Sequence, residues 1–179
     1  MGGASSRMGG APKGLLPSPD GAPSLVARWR ALFASQRIDA VLVGRADAYP
    51  GLGRALADEA GLQGPLAGVA ALLAFAGDRT ALSVACDMPF VTSSLVARLV
   101  ATPCDAPVLA PRRDGRWEPF LARWNAPLAL PTVRSRGRAG DGSLQRLFDA
   151  LGARELPLDA AEATLLDDWD TPADLRSRR

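Results

Sequence analysis

The residues best suited to hold a phosphate lie in a glycine- and serine-rich stretch near the start of the chain, GGASSRMGGAPK from Gly2 to Lys13. Glycines let a backbone approach a ligand closely, and successive backbone N–H groups can then surround an anion. Arg7 and Lys13 add positive charge suited to a triphosphate, and Lys13 is the only lysine in the sequence. The spacing of these glycines and cations matches neither the P-loop nor the dinucleotide-binding fingerprint. A disordered N-terminus is therefore the alternative interpretation of this composition. The candidate phosphate-binding residues are Gly2, Gly3, Ala4, Ser5, Ser6, Arg7 and Lys13.

A single carboxylate, Asp87, follows an apolar segment that we predict to be a buried strand, Ala81–Cys86. In open parallel sheets, ligands bind beyond the carboxyl ends of the strands. Mg²⁺ is commonly held by one or two carboxylates together with substrate phosphates. We therefore predict that Asp87 is a magnesium ligand. The alternative is that it caps the helix that begins near Ser94.

The segment Gly64-Pro65-Leu66-Ala67-Gly68 is predicted to begin a helix, because proline is favoured in the first helical turn. The N-terminus of a helix also attracts anions and polar groups of ligands. This segment, with Asp58 shortly before it, is therefore a candidate ligand-binding turn. The simpler alternative is a helix start whose small residues serve packing.

Two further carboxylates, Asp168 and Asp170, lie near the C-terminus, directly before Thr171-Pro172. That order is typical of a helix start. A helix start, capped by Asp170 or Thr171, explains the Thr-Pro-Ala-Asp part of the segment, but it does not explain why Asp168 and Asp170 precede that part.

Three arginines, Arg134, Arg136 and Arg138, lie in a stretch that ends at Gly142 and that we predict to be a loop. Such a loop could bind a phosphate group of a ligand. Solvated side chains are the simpler explanation in a chain so rich in arginine.

Strands and helices alternate along the chain. Short apolar runs predict strands at 40–43, 81–86, 107–110, 119–124 and 156–158. Apolar residues at helical spacing predict a helix after Ser24 and helices at 66–76, 94–101, 143–151 and 171–176. The alternation predicts an α/β fold: a single three-layer domain over residues 1–179, with a mostly parallel sheet and helices on both faces.

Composition narrows the classes of function. With 47% hydrophobic and 22% charged residues the chain has an ordinary globular balance, and its net charge of +2 does not suggest nucleic-acid binding. The absence of histidine excludes Ser-His and Cys-His nucleophiles and histidine metal sites. The two cysteines lack metal-site spacing, and no apolar run has membrane-spanning length. We therefore expect a cytoplasmic protein with free thiols.

Taken together, these segments resemble the molybdenum cofactor guanylyltransferase family. GGASSRMGG, with the lysine and two leucines that follow it, is similar to the nucleotide-binding motif of that family. The segment 64–68 resembles its guanine-recognition segment, and 86–90 (CDMPF) resembles its metal-binding motif. Residues 117–124 resemble its acceptor-side strand, and 168–175 resemble its Asn-x-Asn-Thr-Pro-x-x-Leu segment.

The resemblance implies a Rossmann-like nucleotidyltransferase that transfers GMP from Mg²⁺-bound GTP to the phosphate of molybdopterin and releases pyrophosphate. It implies that Arg7, Lys13 and Asp87 act in catalysis and that Asp87 binds magnesium, with Asp170 as a candidate second ligand. GTP and molybdopterin are then the binding partners, and molybdoenzyme maturation proteins are candidate further partners. Besides the glycine-rich stretch, the implied nucleotide-binding residues are Asp58, Gly64, Pro65, Leu66, Ala67, Gly68 and Asp87.

Two departures from the family pattern leave alternatives open. The strand that precedes the glycines in the family is missing from this sequence, so we expect the native start to lie upstream. Asp168 and Asp170 replace the two asparagines of the family, as in relatives that transfer CMP. The alternatives are a cytidylyltransferase acting on molybdopterin or on another phosphate, and a non-catalytic partner that binds the nucleotide or the cofactor.

Overall fold

The computed structural model describes residues 12–44 and 48–167 of the chain. A 3₁₀ turn, Lys13–Leu15, comes first. The α-helices of the described residues are α1 (Leu25–Ser35), α2 (Pro65–Ala76), α3 (Ser93–Ala101), α4 (Ala126–Arg138), α5 (Leu144–Ala150) and α6 (Ala160–Thr164). The strands are β1 (Leu42–Val43), β2 (Ala55–Leu56), β3 (Thr80–Val84), β4 (Val108–Ala110), β5 (Arg112–Arg113), β6 (Arg116–Trp117), β7 (Leu121–Asn125) and β8 (Arg154–Glu155). None of the helices in these two ranges is both long and apolar enough to cross a membrane.

Four strands form the main sheet, in the order β3-β7-β4-β8. β7 runs antiparallel to its neighbours β3 and β4, whereas β4 and β8 are parallel. β3, β4 and β8 therefore share one direction, and the antiparallel β7 lies between β3 and β4, so the described sheet is mixed where a mostly parallel one was predicted. β1 and β2 form a separate parallel pair.

Helices α2, α4 and α5 cover one face of the main sheet, and their buried side chains form one cluster with Ala122 and Trp124 of β7. The ring of Trp124 meets Phe148 of α5 edge-on, with 5.1 Å between ring centroids. Its indole N–H donates to Ser83 Oγ of β3 at 2.9 Å. Because this buried indole is both packed and hydrogen-bonded, it holds β7 against β3 and anchors α5 above them.

Helices α1 and α3 cover the opposite face. Successive side chains of a strand point to opposite sides of a sheet, so Leu121 of β7 points away from the first cluster. It joins a second cluster with Trp29 of α1 and with Leu95 and Leu99 of α3. Helical layers on both sides of one sheet give the three-layer α/β architecture that the alternation predicts.

Helix α4 is the main correction to the sequence predictions. The stretch 134–142 was expected to be a loop, but its first part belongs to this helix. Pro131 and Gly137 lie inside α4 and lower its intrinsic helix propensity. The helix forms because Ala129 and Val133 are fully buried in the first cluster, so that tertiary packing outweighs propensity.

The other corrections concern short elements. β8 lies at Arg154–Glu155 instead of 156–158, and β1 begins at Leu42 instead of residue 40. The pair β5–β6, the strand β2 and the helix α6 were not predicted, because two-residue strands and a five-residue helix carry too little periodicity. The helix predicted at 171–176 lies outside the described residues.

Candidate active site

An ion pair between Lys13 and Asp87 marks the carboxyl end of β3. Asp87 lies in the turn that follows this strand, and Lys13 begins the 3₁₀ turn. Lys13 Nζ donates to Asp87 Oδ2 at 2.9 Å, and each side chain is 20% exposed. The fold thus brings together the predicted phosphate-binding cation and the predicted metal ligand, and it leaves both accessible to solvent.

Asp87 does not act as the cap of α3. That role belongs to Thr92, whose Oγ1 accepts the N–H of Leu95 at 3.3 Å. Within residues 12–44 and 48–167, no group of three or more His, Cys, Asp or Glu side chains could hold a metal ion. A single carboxylate that shares the ion with substrate phosphates is a usual arrangement for magnesium. The residues at this strand end therefore fit Mg²⁺ held jointly with a nucleotide.

The start of α2 brings together the second group of candidates. Gly64 precedes the helix with a φ of +64°, a conformation that glycine adopts without strain. A Cβ added at Gly68 would lie 3.3 Å from Asp58 Oδ1 and 3.2 Å from Val43 Cγ1. The missing side chain at Gly68 therefore allows the Asp58 carboxylate to lie directly against the first turn of α2.

The side chains of Leu66 and Ala67 are buried, so only their backbone groups can face a ligand. The N–H of Ala67 donates to the carbonyl of Gly64 at 3.2 Å, and its carbonyl accepts the N–H of Glu59 at 3.1 Å. These bonds fix the loop before the helix to the helix start, which keeps Asp58 beside the turn.

Glu59, which the sequence analysis missed, ties the same loop to α4. Its carboxylate accepts two bonds from Arg134, at 2.7 Å from Nε and 3.0 Å from Nη2. Arg136 pairs with Asp141 instead. The premise of an acceptor-binding arginine loop is therefore wrong, because Arg134 and Arg136 are helical residues held by carboxylates of the protein. Only the adjacency of Glu59 to Asp58 could have suggested its role.

Tyr49 is a second residue that the sequence analysis missed, although it is the only tyrosine of the chain. A Cβ added at Gly14 would lie 2.8 Å from Tyr49 Cε1 and 3.0 Å from its Oη, so the tyrosine ring packs on the backbone of the 3₁₀ turn. Burial raises the pKa of Tyr49 to about 12. Burial, followed by the negative charge of Asp87, raises the pKa of Cys86 to about 11. Both groups are therefore neutral near pH 7, in direct contact with the segments that carry the Lys13–Asp87 pair.

Some of the predicted site residues lie outside the described ranges. These are Gly2, Gly3, Ala4, Ser5, Ser6, Arg7, Asp168 and Asp170. Their roles stay predictions. Asp167, the last described residue, is paired with Arg113 of β5 at 3.0 Å.

The sequence matches a known protein family. Residues 1–155 match the family model described as the MobA-like NTP transferase domain. A molybdenum cofactor guanylyltransferase of Yersinia pestis (strain Pestoides F) is 32% identical over 177 residues, which cover 97% of this chain and 89% of the relative. Another protein of that name, from Yersinia pseudotuberculosis serotype O:1b, is 30% identical over 178 residues with the same coverage.

Solved structures show the same fold. Molybdopterin-guanine dinucleotide biosynthesis protein A from Archaeoglobus fulgidus aligns with a TM-score of 0.76 at 22% identity, over 99% of this chain and 93% of that one. The 2-C-methyl-D-erythritol 4-phosphate cytidylyltransferase of Thermus thermophilus aligns with a TM-score of 0.63 at 22% identity, over 92% and 90%. The Rossmann-like nucleotidyltransferase fold is thereby confirmed. The chain belongs to the MobA-like NTP transferase family and is a nucleotidyltransferase.

Proposed function

We propose that this nucleotidyltransferase acts in molybdenum cofactor biosynthesis, where it transfers GMP from GTP to the phosphate of molybdopterin and releases pyrophosphate. The observation that carries the proposal is the solvent-accessible Lys13–Asp87 pair at the carboxyl end of β3. The names of the relatives, which cover nearly the whole chain, support guanylyl transfer to the molybdenum cofactor. The proposal treats residues 1–179 as one nucleotidyltransferase domain.

The chemistry requires no general base. The nucleophile is a phosphate oxygen of the acceptor, and it is already ionised near pH 7 because the second pKa of a phosphate monoester is about 6. The absence of histidine is therefore compatible with the reaction. Catalysis then depends on aligning the two substrates and on neutralising charge as it develops on the phosphates.

Lys13 and Asp87 contribute to that charge neutralisation in different ways, one directly and the other through a bound metal ion. Asp87 is the residue that would hold Mg²⁺, and bound Mg²⁺ would neutralise negative charge on the nucleotide phosphates. Lys13 contributes its ammonium to the departing pyrophosphate, and Arg7 is proposed to do the same. In the described structure the 2.9 Å contact between Lys13 and Asp87 keeps each charge paired and oriented toward the same place.

The turn at the start of α2 supports a preference for guanine. The Watson–Crick edge of guanine presents N–H donors, and an ionised carboxylate accepts hydrogen bonds. Asp58 lies against Gly68 at the positive end of the α2 dipole, beside backbone groups of 64–68. We assign this turn to the base and the Lys13–Asp87 pair to the triphosphate.

A transfer assay tests the proposal. The protein is incubated with Mg²⁺, molybdopterin and either GTP or CTP, and the dinucleotide product is separated and identified by mass. We expect molybdopterin guanine dinucleotide with GTP and little product with CTP. A cytidine dinucleotide as the main product would move the protein to the cytidylyl-transferring alternative. Binding of GTP without any product would favour the non-catalytic alternative.

A further inference from the structure

An ion pair joins helix α4 to the loop of residues 58–63, which precedes α2. Arg134 of α4 donates to both carboxylate oxygens of Glu59, at 2.7 Å from Nε to Oε1 and 3.0 Å from Nη2 to Oε2. Two parallel bonds from one guanidinium fix the orientation of a carboxylate as well as its distance. The preceding residue, Asp58, is exposed. Of these two neighbouring carboxylates, one is therefore held by α4 and the other is accessible to a ligand.

An apolar contact holds the same loop three residues further along α4. A Cβ added at Gly137 would lie 2.9 Å from Leu62 Cδ2 and 3.2 Å from Leu62 Cδ1, so the leucine side chain packs directly on the helix backbone. Residues three apart lie on the same face of a helix, so Arg134 and Gly137 present one surface to the loop. The helix itself is anchored in the core, where Val133 is fully buried.

The loop is also bonded to the start of α2. The N–H of Glu59 donates to the carbonyl of Ala67 at 3.1 Å, and the N–H of Leu62 donates to the carbonyl of Glu59 at 3.3 Å. Asp58 Oδ1 lies 3.3 Å from the position of a Cβ added at Gly68. Glu59 is therefore bonded to α2 through its backbone and to α4 through its side chain. Any shift of Glu59 would move its neighbour Asp58 relative to the turn at 64–68.

We propose that Arg134 is a positioning residue for base specificity, which holds Glu59 and thereby keeps the Asp58 carboxylate at the turn that begins α2. The inference rests on the proposed function, because that function assigns this turn to guanine. The Watson–Crick edge of guanine offers a ring N–H and an amino group, and a carboxylate can accept from both. Cytosine offers only an amino group beside an acceptor nitrogen. Displacement of Asp58 therefore weakens GTP binding more than CTP binding.

The variant Arg134→Gln removes the ion pair and keeps a polar side chain on α4. In calorimetric titrations with Mg²⁺, we expect GTP to bind about two- to fivefold more weakly, the size of effect typical of a partly exposed ion pair, and CTP binding to stay unchanged. Arg134→Lys keeps the charge without the planar fork and should retain part of the GTP affinity. Arg136→Gln is the matched control, because this arginine of the same helix pairs with Asp141. It should bind both nucleotides as the wild type does.

Two further measurements separate the ion pair from a general change of charge or stability. Glu59→Gln should weaken GTP binding as Arg134→Gln does, and the double variant should lose no more than either single variant, because both changes remove the same interaction. Amide hydrogen exchange of Glu59, followed by NMR without nucleotide, should accelerate in Arg134→Gln and stay unchanged in Arg136→Gln. The melting temperature of each variant is recorded to show that the fold persists.

The outcomes separate this inference from the proposed function. A selective loss of GTP affinity, with non-additive variants and faster Glu59 exchange, supports the positioning role. Unchanged GTP affinity in Arg134→Gln overturns it while the preference of the wild type for GTP stands. Equal losses for GTP and CTP also overturn it, because they indicate an effect of charge on the phosphates. If the wild type itself binds CTP as tightly as GTP, the assignment of guanine to this turn fails, and the specificity role fails with it.

Discussion

Two ion-paired regions of the molecule differ in how far apart in the sequence their charged residues lie. In the first, Lys13 and Asp87 come from distant parts of the chain and meet at the end of strand β3, each 20% exposed. In the second, Arg136 and Arg146 both pair with Asp141 at the junction of α4 and α5, only five residues away from it in either direction. The first pair requires the whole fold to assemble, whereas the second group is local.

This difference shows why arginine-rich sequence does not by itself identify a phosphate site. Arg146 is 66% exposed, and exposed ion pairs contribute about 0–1 kcal/mol to stability. Arg134 and Arg136 of α4 therefore form ion pairs with carboxylates of the protein itself, Glu59 and Asp141. We propose that the lone lysine, which lies at a strand end beside a carboxylate, binds a phosphate of the ligand.

The largest effect is expected for Asp87→Asn. The amide keeps the shape of the side chain and removes the charge that would hold magnesium, so kcat should fall by about 10²–10³-fold, by analogy with lost transition-state contacts. Steady-state assays of guanylyl transfer at saturating Mg²⁺ measure this. Asp141→Asn is the matched control and should keep wild-type turnover. Equal losses in the two variants would contradict the contrast between the regions.

A loss of similar or slightly smaller size is expected for Lys13→Ala, about a hundredfold in kcat, because the departing pyrophosphate loses one charged contact. The melting temperature should change little, since a partly exposed ion pair contributes about 1 kcal/mol or less. Arg136→Ala serves as the control, with turnover within about twofold of wild type. Full activity of Lys13→Ala would remove this residue from the site.

A smaller and more specific effect is expected for Gly68→Ala. The added methyl group would meet Asp58 Oδ1 at 3.3 Å and Val43 Cγ1 at 3.2 Å, so the carboxylate must shift by a few tenths of an ångström. KM for GTP should rise about two- to tenfold, the size of one perturbed hydrogen-bonding contact. Gly142→Ala is the matched control, because a Cβ there meets nothing within 4 Å. An unchanged KM would argue against base binding at this turn.

The smallest effect concerns acid stability and belongs to the arginine region. Hydrogen bonding by Arg146, helped by the Ser143 N–H and the charge of Arg136, lowers the pKa of Asp141 to about 2 from an ordinary value of 3.8. The stabilisation is therefore fully present above pH 3.8 and is lost as the pH falls toward 2. Chemical denaturation at several pH values should show Asp141→Asn lacking this part of the acid dependence. An identical pH dependence in both proteins would contradict the assignment.

Sequence reasoning could propose candidate site residues where one short segment contains the whole signal. Asp87 lies in the turn that follows β3, and residues 64–68 contain the proline and glycines that begin α2, so local order was sufficient. Helix α4 was missed because its stability comes from burial of Ala129 and Val133 against other elements, which no local pattern shows.

Contacts between segments distant in sequence were also beyond sequence reasoning. Tyr49 packs on Gly14, and nothing in the spacing of these two residues indicates that they meet. The same holds for the pairing of Glu59 with Arg134, which are 75 residues apart. Composition could only have singled out the lone tyrosine as a residue worth locating.

We propose above all that the Lys13–Asp87 end of the sheet binds Mg²⁺ and GTP, with the base at the start of α2. Calorimetric titration of GTP and CTP into the wild-type protein and into Asp87→Asn, each with and without Mg²⁺, tests it most directly. We predict that wild type binds GTP more tightly than CTP and that Mg²⁺ strengthens GTP binding only when Asp87 is present. Tighter binding of CTP, or a magnesium effect of the same size in Asp87→Asn, would contradict the claim.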